Sequence, residues 1–132
     1  MHVLLTEASF GDADFLVQPL RDTGCRVSRC HNRAGLCRAL VRTSACPLDE
    51  RTDPPVLLVD VRGQGDALTA REFGTVCAVR AQVPIALVSP NPDVPAEVPA
   101  GLENRVTVID VDGLLDTCRA AARYGGDPGT SG

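Results

Sequence analysis

The chain has 132 residues, enough for one domain, with 44% hydrophobic residues and a formal net charge of −4. All 13 basic residues are arginine, and the only aromatics are Phe10, Phe15, Phe73 and Tyr124, so there is neither a basic stripe nor a stacking platform for nucleic acid. No apolar run approaches the roughly 20 residues that span a bilayer, and MHVLLTEAS lacks the basic start and cleavage site of a signal peptide, which predicts a cytoplasmic protein without membrane contact.

Five apolar runs set the architecture. HVLLTEA (2–8) reads as a first strand, and CRVSRC (25–30) alternates apolar with polar, the period of a half-buried strand near a sheet edge. VLLVDV (56–61) and PIALVS (84–89) are nearly continuous in Val, Leu and Ile, as in strands covered on both faces, and RVTVIDV (105–111) completes the set.

Helical spacing fills most of the intervals. Asp12 is placed to cap a helix over 13 to 23 with Phe15, Leu16 and Leu20 inward, Pro19 as a weak point and Gly24 as its stop. Asn32 is placed to cap a second, AGLCRALVRT (34–43), with Leu36, Cys37, Leu40 and Val41 on one stripe. AREFGTVCAVRAQ (70–82) predicts a third, with Phe73, Val76, Cys77 and Val79 toward the sheet. The last helix begins near Asp112 and points Leu114, Leu115, Cys118, Ala121 and Ala122 inward, its arginines 119 and 123 near the end where the dipole favours them. Between the fourth and fifth strands, NPDVPAEVPAGLENR (91–105) carries Pro92, Pro95 and Pro99, which leaves room for a turn or two of helix at most. GGDPGTSG is expected to be a disordered tail.

This order predicts an α/β fold: a doubly wound, five-stranded parallel sheet with helices on both faces and the fourth helix short or missing. Sites in such sheets form beyond the carboxyl ends of the strands, where the strand order reverses. The strand-end residues are Thr6 and Glu7, Asp60, Ser89 and Asp110.

An acid after the first strand, an aspartate ending the third, a hydroxyl ending the fourth and five alternating units over residues 2 to 124 resemble the receiver domain of bacterial response regulators. The resemblance implies a receiver/flavodoxin-like domain over residues 1–124, followed by a tail over 125–132. It implies Asp60 as phosphoacceptor, Ser89 as the hydroxyl that contacts the phosphoryl group, Arg62 offering a backbone carbonyl to Mg2+, and Glu7 with Asp60 as metal ligands. The departures are specific. The receiver's acidic pair aligns with Thr6 and Glu7, so one acid is a neutral hydroxyl, and its strand-five lysine aligns with Asp110 in a chain that has no lysine at all. An added negative charge on this rim disfavours phosphoryl transfer unless the Arg62 side chain folds inward. Asp60 and Asp110 also read as strand-end acids bonded to the amides of the following loop, Ser89 as a turn residue, and Glu7, Asp60 and Asp110 as ligands for a hard cation.

The resulting expectation is a single-domain, atypical (pseudo-)receiver in the cytosol of a GC-rich bacterium. It is not an enzyme, and it binds a protein partner in trans: a histidine kinase, a transcription factor or another regulator, with homodimerisation left open. One alternative is a functioning response regulator phosphorylated on Asp60. Another is a cysteine-based sensor, redox-active at Cys30 or Cys46, where arginines 29 and 33 flank Cys30 and favour its thiolate. Zinc ligation by Cys25, Cys30, His31, Cys37 and Cys46 fits less well, because the cysteines are separated by four, six and eight residues rather than by tight pairs. Buried cysteines acting as small hydrophobes are the simpler reading. A phosphate loop or GxGxxG after the first strand is missing, and with His2 terminal and His31 after the second strand a histidine-based catalytic triad is hard to assemble.

Overall fold

The computed structural model describes residues 1–9, 11–29, 48, 51–65, 67–69 and 72–125. The expected helix over 34–43, Cys30, His31, Cys37, Cys46 and the tail beyond Gly125 lie outside the described residues. The elements described are β1 (His2–Glu7), α1 (Asp14–Asp22), β2 (Arg26–Arg29), β3 (Leu57–Val61), α2 (Phe73–Arg80), β4 (Ile85–Val88), β5 (Val106–Val108) and α3 (Val111–Gly125).

The five strands form one sheet in the order β2-β1-β3-β4-β5, every pair parallel, which is the flavodoxin-like arrangement. The chain moves outward from β1 to β2, then returns to the other side of β1 for β3, so the strand order reverses between β1 and β3.

Alternation along the strands sorts the core into two layers. Val3, Leu5, Val59, Val61, Ala86 and Val88 pack with Leu16 and Leu20 of α1 and Leu114 and Cys118 of α3. On the opposite face Leu4, Leu58, Ile85 and Leu87 pack with Ala78 of α2. Helices therefore cover both faces, and β1, β3 and β4 are buried on each side, as their unbroken apolar runs predict. Truncating a fully buried leucine such as Leu58 to alanine costs about 2–5 kcal/mol.

Two of the three described helices, α1 and α2, depart from expectation. α1 starts at Asp14, and its cap residue is Ala13, without a side-chain cap bond; the expected Asp12 cap is replaced by a carboxylate from β1, described below. The helix runs through Pro19 to Asp22, and after its C-cap Thr23 comes Gly24, whose φ of +94° is the left-handed conformation glycine tolerates best. Leu16 and Leu20 are buried as expected, but Phe15 is 44% exposed and faces outward.

α2 is shorter than expected and rotated: Val76 and Cys77 are exposed, and Thr75 and Ala78 are buried. The reason is Glu72, fully buried one step before the helix, which places the polar series Glu72 and Thr75 over the sheet at three-residue spacing. α3 follows the prediction, with Leu114 and Cys118 buried. Residues 89–105 contain turns and no helix, so the fourth helix is missing.

Candidate functional site

The carboxyl end of β1 carries Thr6 and Glu7, both buried. Glu7 belongs to the α1 face. Its Oε2 accepts from Gly11 N at 3.0 Å and its Oε1 from Ala13 N at 3.0 Å, which pins the turn that feeds α1. The Arg29 guanidinium from β2 donates to Glu7 Oε1 at 2.7 Å and to Asp14 Oδ1 at 2.8 Å. Glu7 thus ties the loop, α1 and the edge strand together. Partial burial, with Glu7 nearby, raises the proton affinity of Asp12.

Asp60 lies on the other face. It pairs in register with Thr6, whereas Glu7 pairs with Val61, and successive residues of a strand point to opposite sides. Asp60 is fully buried beneath α2, among Arg62, Glu72 and Thr75. Burial first, and Glu72 beside it second, push its carboxyl up to about 9 against the opposing effects of Arg62 and Thr75. Among the described residues neither Asp60 oxygen has a hydrogen-bond partner of good geometry, nor does the buried Thr75 hydroxyl. The Asp60 carboxyl therefore holds its proton far more tightly than an exposed carboxylate does.

Arg62 is 2% exposed and its side chain folds inward. Its Nη1 donates to Glu72 Oε2 at 3.1 Å, and its Nη2 donates to the Gly65 and Ala67 carbonyls at 2.6 and 3.2 Å. Glu72 Oε1 in turn accepts from Thr69 N at 2.8 Å. A buried ion pair thus closes the β3-to-α2 connection over Asp60, with the guanidinium engaged by Glu72 and by its own loop.

The remaining rim residues serve local structure. Ser89 Oγ donates to the Asn91 carbonyl at 2.7 Å and accepts from Asn91 N at 3.1 Å, which closes a tight turn after β4. Asp110 Oδ1 accepts from Gly113 N at 2.7 Å and so caps α3. A Cβ on Gly113 would stand 2.9 Å from that oxygen, so the close approach depends on glycine. Ser89 and Asp110 do share one feature: both line a hollow of about 670 Å³ beyond β4 and β5.

The strand-end residues therefore divide into three places rather than one. Glu7 is on the α1 face, Asp60 with Arg62 lies under α2, and Ser89 with Asp110 flanks the hollow. A Mg2+ ion held jointly by Glu7 and Asp60 does not fit this arrangement, and no group of three His, Cys, Asp or Glu residues among those described is placed to hold a metal. Glu72 and Thr75 escape a reading confined to strand ends, because they belong to a helix read as apolar. His2 is also more than a terminal residue: it is fully buried, its Nδ1 donating to the Asp53 carbonyl at 2.6 Å and its Nε2 2.7 Å from Ser28 Oγ. It fastens the segment before β3 to the sheet edge.

The fold and site together define a doubly wound α/β domain with an acidic group at the end of its central strand. Comparisons with protein-family models, with curated proteins and with solved structures each find no significant match. Among the described residues, no helix is long and apolar enough to cross a membrane.

Proposed function

We propose that the chain is a receiver-like signalling domain that acts by binding a protein partner and does not use Asp60 as a phosphoacceptor. The observation that carries this reading is the state of Asp60: fully buried, pushed up to about 9, and closed over by the Arg62–Glu72 pair. A protonated carboxyl is a poor nucleophile toward phosphorus, and a phosphodonor has no path to one that is sealed from solvent. Further support comes from the rim: Asp110 stands where a receiver keeps its lysine and is occupied as a helix cap, and the chain has no lysine that could take that role.

A domain of this kind signals through the shape of its surface, and in a bacterial cytosol the fitting partner is a histidine kinase, a transcription factor or another regulator. Incubation with acetyl phosphate and Mg2+, followed by intact-mass measurement, tests the reading. The expected result is no added phosphoryl group on the native chain; a stoichiometric adduct that disappears in Asp60→Asn would show that Asp60 is a phosphoacceptor.

A further inference from the structure

The chain crosses from β4 to β5 without a helix, and the gap is what makes the hollow. Pro90, Pro92 and Pro95 lack amide hydrogens and hold φ fixed, so this segment runs as turns over the carboxyl ends of the two strands. Pro92 and Pro95 of this segment, Val108 and Ile109 at the end of β5, and Phe15 of α1 line it. Of the four large hydrophobic residues left exposed among those described, two line this hollow: Phe15 and Val108, each 44% exposed. A volume of about 670 Å³ falls within the roughly 300–1,000 Å³ usual for sites that take one small organic molecule. Three separate elements enclose it, which suits a compact ligand better than an extended chain.

The charges at its mouth select the ligand. Asp110 and Asp112 both line it, and no basic residue among those described does. Asp110 spends one oxygen on Gly113 N, and that same bond satisfies an amide at the start of α3 that would otherwise be open to an anion. Neither its second oxygen nor the Asp112 carboxylate has a partner among the described residues. An anion would meet two carboxylates, and a neutral apolar molecule would strip water from them without replacing its hydrogen bonds. A cationic donor satisfies both conditions.

We infer that this hollow is a binding site for a small amphipathic organic cation, an apolar body seated among Phe15, the prolines and Val108 with one ammonium or guanidinium group at Asp110 and Asp112. The site stands apart from Asp60 and goes beyond the signalling reading, so either can fail alone.

The test is a set of amide NMR titrations with phenylbutylammonium, phenylbutanol and phenylbutyrate as probes of matched shape, run on the native chain and on Asp60→Asn. The ammonium probe is expected to give saturable shifts confined to Phe15, residues 89–96 and 108–112 in both proteins, and the butyrate none. The alcohol should bind about fivefold more weakly than the ammonium, the scale of one exposed ion pair. In the Asp110→Asn, Asp112→Asn double variant, which keeps a capping side chain, that preference should vanish. Val108→Trp, which fills the hollow, should abolish binding of both probes while the remaining amide spectrum stays folded. Equal affinity for all three probes, shifts centred elsewhere, no saturation, or shifts that instead follow protein concentration and report self-association would each overturn the assignment.

Discussion

Glu7 and Asp60 end adjacent strands one register step apart, yet their carboxyl groups lie on opposite faces of the sheet. The separation follows from strand pleating alone, and it divides what a receiver keeps together. Glu7 becomes a clamp for the β1–α1 turn, and Asp60 becomes a buried acid beneath α2. Titration with Mg2+ is accordingly expected to produce no saturable calorimetric signal and no amide shifts shared by Glu7 and Asp60; a common binding curve for the two would contradict this geometry.

The state of Asp60 makes stability depend on pH. In the folded chain the carboxyl keeps its proton up to about 9, whereas unfolded it releases it near the ordinary value of 3.8. Between those limits the unfolded state holds fewer protons, so stability falls as pH rises, at no more than about 1.4 kcal/mol per pH unit for this one group. Urea unfolding of the native chain across this range should show the decline. In Asp60→Asn the slope should flatten, and stability at pH 8 should rise, because a neutral amide needs no proton to stay buried.

Arg62 and Glu72 form an ion pair in which both side chains are almost wholly removed from water. Removing one partner strands the other, so Arg62→Ala is expected to cost about 3–5 kcal/mol. The double variant Arg62→Met, Glu72→Leu should recover most of that loss, since a desolvated pair and a well-packed apolar pair differ little in net stability. Denaturant midpoints of the native, single and double variants check the sign and the coupling.

The cysteines divide by burial. Cys77 is exposed, Cys25 and Cys118 are buried, and burial pushes the Cys118 thiol up to about 12 with Cys25 adding to the effect. Of these three, iodoacetamide at neutral pH, with peptide mapping, should label Cys77 and leave Cys25 and Cys118 unmodified until the chain unfolds. Rapid labelling of Cys118 in the folded protein would contradict its placement in the core.

Much of the fold is legible in the residues themselves. The continuous runs LLVD and IALV mark strands covered on both sides, the alternation in RVSR marks an edge strand, and the prolines between 90 and 99 mark the missing helix. The site is less legible because it depends on register and rotation, which no single segment encodes. Thr6, Glu7 and Asp60 are all recognisable as strand-end residues, but which of them share a face depends on how β1 and β3 align. Glu72 and Thr75 are hidden for a related reason: FGTVCAVR reads as apolar toward the sheet, and only tertiary packing turns its polar edge inward over Asp60. Phe15 likewise fits a core stripe by spacing, yet it is exposed and lines the hollow.

The claim that Asp60 is a sealed, neutral acid is tested most directly by amide NMR with Mg2+ and beryllofluoride, a phosphoryl mimic that binds an accessible aspartate. No change is expected in the amides of Asp60, Ser89 and Asp110 on addition. Saturable shifts centred on those three residues, and lost in Asp60→Ala, would contradict it.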